Sequence, residues 1–314
     1  MNITPSIFNR EIQSYTAVGG TRAGGNSGVS AVLLNRGGRY SRRSFFQELE
    51  KVGFDYIVSM EGEDERYDLE ELSGRFPFVR FIFLRGALSA GEMLNLAAQE
   101  LSSDLFLVFW NDQKLFNGIT ASRMAGYFGG KRLCTAPVIQ NSSFRMLHTL
   151  VIPTIEKGML KTIQETPERE GLPTLFPHDW TGIYDRRRFL RVGGFDGAIS
   201  SPYWQLMDFG FRSFLWGEEI RSTQLFRFVH DGEYETNVTV DSGYRLFYLK
   251  NIAPVFRGDH AYLPLRRFPV FLAKSGWDIL GSWHEFSHER AWVKQNASRF
   301  SVDAHTLIDN WETQ

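Results

Sequence analysis

The stretch DLFLVFWNDQKL, residues 104–115, decides how this chain is read. Residues 104–110 form an apolar run of strand length, which stops at Asn111, Asp112 and Gln113. A short apolar run bounded by turn residues reads as a strand buried on both faces, as in a parallel sheet. Open α/β sheets bind ligands at the carboxyl ends of their strands, so a carboxylate at such a tip is a candidate metal ligand. The plainer alternative is that Asp112 only begins a turn.

Working towards the N-terminus, Ser89 and Glu92 have the spacing of a capping box, which predicts a helix running to about Leu101. Ahead of it, VRFIFLRG (79–86), FDYIVSME (54–61) and VSAVLLN (29–35) read as strands. SRRSFFQELEKVG (41–53) reads as a helix with Phe45, Phe46, Leu49 and Val52 on one face and Gly53 closing it. This alternation predicts a three-layer α/β/α sandwich around a mostly parallel mixed sheet. Asn35, Glu61, Arg85 and Asp112 then all lie at carboxyl ends of strands. Residues 1–28, ending in VGGTRAGGNSG, read as a flexible lead-in.

Working towards the C-terminus, RLCTAPVIQ (132–140) reads as a strand. Residues 153–178, with four prolines and the run ETPEREG, read as a long surface loop. In YWQLMDFGFRSFLWGEEI (203–220) a helix would place Gln205, Asp208 and Arg212 on one face. FRFVHDGEY (226–234) reads as a strand ending at His230, and residues 243–314 as a mostly helical extension.

Composition narrows the function. Lys plus Arg is 35 against 36 for Asp plus Glu, which argues against electrostatic binding of nucleic acid. A single cysteine, Cys134, excludes an internal disulfide and fits a reducing compartment. No apolar run approaches the roughly 18 residues of a membrane helix. The N-terminus lacks a signal-peptide pattern, so a soluble cytoplasmic protein is expected. YLPLRRFPVFLAKSGW (262–277) mixes aromatics with Arg266, Arg267 and Lys274. Core packing with solvated cations is the first reading of it. Peripheral contact with the inner face of a membrane is the second. Trp180, Tyr203 and Trp204 read either as core or as platforms for a sugar face.

The order of six pieces carries a resemblance: LLNRGGRYS (33–41), IVSMEGED (57–64), GEMLNLAAQELSSD (91–104), WNDQ (110–113), YDRRRFLRVGGFDGAI (184–199) and QLMDFGFR (205–212). Together with His230 they resemble the family 2-like glycosyltransferases of the nucleotide-diphospho-sugar transferase (A-type) fold, over about residues 29–230. The resemblance implies an A-type domain at 29–242 with the 243–314 extension packed on it. It implies metal-assisted, inverting sugar transfer from a nucleotide-diphosphate donor to a saccharide or lipid-linked acceptor, with Mn²⁺ or Mg²⁺. Carried over residue by residue, Asp112 and His230 would hold the metal. Asn35, Glu61, Asn95, Asn111 and Arg212 would face the nucleotide, and Asp208 would be the base.

The departures are specific. The acidic motif keeps one carboxylate, Asp112, while Gln205 and Leu206 stand where the family has Glu and the usual base Asp. Asp179 ranks below Asp208 as a substitute. These losses keep open a second reading, a non-catalytic protein of the same fold that binds a sugar nucleotide or a partner protein. A nucleotidyltransferase is disfavoured, because the first loop is not the Lys-containing glycine-rich loop expected of one. Several residues also have plainer roles. Asp208 and Arg212 at i, i+4 can be a helix ion pair. Asn95 can be a helix-face amide, and Gly193 and Gly194 a tight turn.

Overall fold

The computed structural model describes residues 15–36, 41–62, 68–116, 118–130, 132–232 and 238–311. Residues 1–14 of the lead-in, 37–40 and 63–64 of the quoted motifs and 233–234 after His230 lie outside these. The chain begins with β1 (Tyr15–Gly19), β2 (Val29–Leu34), α1 (Arg42–Glu50), β3 (Ile57–Glu61), α2 (Leu69–Arg75), β4 (Val79–Leu84), α3 (Ala90–Glu100) and β5 (Leu105–Trp110). It continues through β6 (Lys114–Leu115), α4 (Ala121–Tyr127), β7 (Arg132–Gln140), β8 (Leu150–Glu156), β9 (Met159–Glu165), β10 (Gly182–Asp185), α5 (Arg186–Val192), α6 (Pro202–Leu215) and β11 (Glu219–Val229). The last part holds α7 (Ser242–Phe247), β12 (Val255–Arg257), β13 (His260–Tyr262), α8 (Phe268–Lys274), α9 (Ile279–Gln295) and α10 (Ala304–Asp309).

Nine strands form the main sheet in the order β1-β4-β3-β2-β5-β10-β7-β11-β6. The run β4-β3-β2-β5 is parallel, as is β7-β11, while β1, β10 and β6 are antiparallel to their neighbours. This is the mixed, mostly parallel sheet expected from the sequence. Every residue of β2 and β5 is buried, because helices cover both faces. The period of two divides β5 between two cores. Phe106, Val108 and Trp110 join the core of α3 and α6, and Leu105, Leu107 and Phe109 join that of α1 and α4. The C-terminal extension shares the first core through Phe247, Phe271, Phe286 and Trp292. The capping box forms as read: Ser89 Oγ accepts from the Glu92 amide, and the Glu92 carboxylate accepts from the Ser89 amide.

Two expectations are corrected. Within the lead-in, Tyr15–Gly19 is an edge strand paired with β4, Tyr15 opposite Leu84. Gly19 and Gly25 serve close approach rather than freedom. A Cβ at Gly25 would lie 2.5 Å from the Gly53 carbonyl oxygen, and one at Gly19 2.4 Å from that of Val79. Within 153–178, β8 and β9 form a hairpin closed by Lys157 and Gly158, at φ 51° and 74°. Paired positive φ values match the twist of a two-residue hairpin. Pro153 disguised this hairpin, yet a two-stranded ribbon has only edge strands and tolerates proline.

Candidate active site

β2 and β5 are parallel neighbours with Leu34 opposite Trp110, so the residues that follow each strand emerge side by side. Arg36 donates to Asp112 twice, Nε to Oδ2 at 2.8 Å and Nη2 to Oδ1 at 3.0 Å. Its Nη1 donates to Asp179 Oδ2 at 2.6 Å. The guanidinium lies 4.4 Å from the centre of the Trp110 ring, a cation–π contact. Asn111 Oδ1 accepts from the Arg36 amide at 3.2 Å, and Asn35 Nδ2 donates to the Met60 carbonyl at the end of β3 at 2.7 Å. The strand tips are thus fastened to one another. His230 follows β11, with Nδ1 3.8 Å from Asp112 Oδ1.

Asp179 arrives from the 3₁₀ turn His178–Trp180. It and Trp180 are consecutive non-glycine residues in the left-handed region, at φ 52° and 58°. Such backbone costs on the order of 1–3 kcal/mol per residue and persists only where its surroundings impose it. Here the Trp110 indole donates to the Asp179 carbonyl at 2.9 Å, and the Tyr184 hydroxyl to the Trp180 carbonyl at 2.8 Å. Gln113 Oε1 accepts from the Trp110 amide and from the Thr181 hydroxyl, which binds both segments together.

The electrostatics follow from burial. Burial raises the Asp179 pKa to about 7, against the lowering effect of Arg36, and the Asp112 charge adds to the rise. Burial, then the charges of His230 and Arg36, lower His178 to about 4, so its ring is neutral near pH 7. Burial opposes the charge on Arg36 too, but Asp112 and Asp179 outweigh it and raise its pKa.

Other expected site residues lie elsewhere. Asp208 is fully buried. Arg212 Nη2 donates to Asp208 Oδ2 at 2.8 Å, and Asn251 Nδ2 to Asp208 Oδ1 at 2.7 Å. An acceptor hydroxyl cannot reach a carboxylate without exposed surface, which corrects the assignment of Asp208 as base. Arg212, equally buried, also donates to the carbonyls of Val192 (2.5 Å) and Gly194 (2.8 Å). It clamps α6 to the glycine turn and does not face a nucleotide.

Asn95 is occupied by Phe195 on both amide atoms, donating to its carbonyl at 2.7 Å and accepting from its amide at 2.8 Å. Gln205 accepts from the Gly91 amide and donates to Ser89 Oγ and to the carbonyls of Asp196 and Ile199. Glu61 is buried, paired with Arg42 at 3.2 Å and accepting from Ser59 Oγ. The structure therefore gathers Asn35, Asn111, Asp112 and His230 around Arg36. It assigns Asn95, Asp208 and Arg212 to packing.

Sequence reasoning missed Arg36. The available signal was a cation directly after the Asn of LLNRGGRYS.

Asp112 offers the oxygen donor that a hard divalent cation prefers and His230 an imidazole nitrogen of the kind borderline metals take, and the two are close enough for one ion to touch both. Such an ion needs only one or two protein ligands when phosphates and water complete its shell. Among the described residues no group of three or more His, Cys, Asp or Glu could hold a metal. Arg36 competes for the same carboxylate.

The architecture has counterparts among solved structures. The crystal structure of GalNAc-T7 with UDP, GalNAc and Mn²⁺ matches with a TM-score of 0.52 and 12% identity, over 71% of this chain and 50% of that one. The fold is that of the A-type glycosyltransferases. A crystal structure of S. aureus TarS also matches, with a TM-score of 0.46 and 11% identity, over 90% of this chain and 55% of that one. The chain thus spans about half the length of each. No protein-family model and no curated protein sequence matches it. At these identities the likeness to A-type enzymes is one of fold, and activity has to be argued from the site.

Proposed function

We propose that this protein transfers a sugar from a nucleotide-diphosphate donor to a hydroxyl of a saccharide or lipid-linked acceptor. The Arg36–Asp112–Asp179 cluster at the carboxyl ends of β2 and β5 carries this reading, because that is where open α/β sheets bind ligands. In the reaction the bond from the anomeric carbon to the diphosphate breaks and the acceptor oxygen forms the new one. The acceptor proton passes to a base, and we assign Asp179. Its carboxylate is held in place by Arg36, and a pKa of about 7 suits a general base near neutral pH. Asp112 and His230 would hold a divalent cation, whose chemistry there is Lewis-acid stabilisation of the departing diphosphate. Asn35 and Asn111 fix the strand tips against which the donor lies. Inversion, implied by the family resemblance, follows if the acceptor attacks opposite the diphosphate.

The burial of Asp208 and the apolar Leu206 favour a second reading, donor binding without transfer. The test is a thermal-shift screen of nucleotide-diphosphate sugars with and without Mn²⁺, since a bound ligand stabilises by mass action. Stabilisation by one nucleotide class, with donor turnover that Asp179→Asn lowers about 10²–10⁴-fold, supports transfer. Stabilisation without turnover in the wild type supports the second reading. No stabilisation by any donor sinks both.

A further inference from the structure

The hairpin of α8 and α9 presents a face that folding does not account for. Leu280 is 83% exposed, Trp277 69% and Ile279 61%, and Leu265, Val270 and Trp283 are exposed as well. Isolated apolar side chains on a surface are ordinary, but a cluster of this kind marks an interaction site.

The cluster is built rather than frayed. Phe268 packs edge-on to Trp283 at 5.1 Å and to Phe286 at 5.4 Å, and Phe271 joins them from the buried side. Gly276 and Trp277, both at positive φ (77° and 65°), turn the chain sharply between the helices. Asp278 caps α9 by accepting from the Gly281 amide at 3.1 Å. This turn leaves Trp277 outermost. It also sets Ile279, Leu280 and Trp283 on the first turns of α9, with Ile279 and Trp283 at i, i+4.

We infer that this hairpin tip docks the protein on an anionic lipid surface. Two features select lipid over a second copy of the chain. The first is composition, since tryptophan with large aliphatic side chains suits the boundary between headgroups and acyl chains. The second is charge. Residues 262–284 contain three cations, Arg266, Arg267 and Lys274, against the single carboxylate of Asp278, in a chain whose net charge is −1. A basic segment on an otherwise acidic protein is complementary to anionic headgroups. Among the described residues no helix is long and apolar enough to cross a membrane, so the contact is one of partial insertion. It does not depend on the transfer reaction. The core reading of 262–277 holds for Leu263 and Phe271, with Phe268 packed against them, while Leu265, Val270 and Trp277 stay outside the core.

The test is flotation of the full chain with phosphatidylcholine vesicles and with vesicles containing phosphatidylglycerol, alongside light scattering. The expected result is binding to the anionic vesicles that falls at least tenfold in Leu280→Glu and weakens with added salt. Leu280 is too exposed for that change to unfold the protein, and an unaltered melting temperature checks this. Binding equal in both vesicle types, binding unchanged in Leu280→Glu, or no binding at all overturns the inference. A dimer in solution that Leu280→Glu converts to a monomer also overturns it, by showing that a second copy covers this face.

Discussion

Arg36 and Asp112 neutralise each other across the tips of β2 and β5 through two hydrogen bonds of 2.8 and 3.0 Å. A divalent cation on Asp112 must therefore displace a bidentate guanidinium. Because Asp112 is partly exposed, solvent screening limits this bidentate pair to about 1 kcal/mol, which corresponds to roughly fivefold in affinity. Arg36→Gln is expected to tighten Mn²⁺ binding by about that factor, and Asp112→Ala to abolish it. Calorimetric titration of both variants with Mn²⁺ reads this directly. Equal affinity in wild type and Arg36→Gln would mean that the cation does not use Asp112.

The raised pKa of Asp179 gives two signs that can be checked. A carboxyl with a folded pKa of about 7, above its ordinary 3.8, contributes stability that is complete below the ordinary value. That stability is lost as the pH rises through the folded one. Asp179→Asn mimics the protonated form. It should match the wild type in stability near pH 4 and exceed it at pH 8, by up to about 4 kcal/mol. Urea denaturation at the two pH values measures the difference. As a base, Asp179 acts only when ionised, so wild-type kcat/KM should rise up to about pH 7 and then level. A wild-type rate that falls over that interval would exclude Asp179 as the base.

The parts of this fold that were legible in the sequence are those set by local rules. The continuous apolar run of β5, the Ser89 capping box and the apolar face of α1 follow from local pattern and capping chemistry alone. What misled was residue type without partner. Asp208, Arg212 and Asn95 occupy motif positions, but their partners Asn251, Gly194 and Phe195 come from segments that only the tertiary fold brings near. Asp179 and Arg36 are separated by 143 positions, so no window of sequence could pair them. Gly19 and Gly25 misled for the same reason, since close approach to Val79 and Gly53 looks like flexibility until those neighbours are known.

Leu206 tests the same distinction. It is 6% exposed and belongs to the core shared by α3, α6 and the extension. Placing a carboxylate there with Leu206→Asp would bury a charge rather than supply a base. The expected outcome is a loss of at least about 2 kcal/mol of stability without gain of transfer. The denaturation midpoint and donor turnover are the two readouts. Turnover appearing at unchanged stability would place residue 206 in the active site and Asp179 outside it.

Lys250 makes the extension part of the fold rather than an appendage. It is buried in the π-helical turn Tyr248–Ile252, where its ammonium pairs with Asp196 of the VGGFD motif and lies 3.5 Å from Glu289 of α9. Trp292 covers it at 5.1 Å. Burial alone would lower the Lys250 pKa, but Asp196, Glu289 and Asp208 outweigh burial and raise it. Lys250→Met would keep the aliphatic stem and remove the cation shared by two buried carboxylates, Glu289 retaining its 2.8 Å contact with His288. Breaking a buried pair from one side costs about 3–5 kcal/mol, and that loss is expected here. The charge is decisive if Lys250→Met combined with Asp196→Asn and Glu289→Gln recovers much of it, as a thermodynamic cycle over the three positions would read. If the triple variant is no more stable than Lys250→Met alone, the destabilisation comes from packing around Trp292. In that case Asp196 does not tie the motif to the extension through charge.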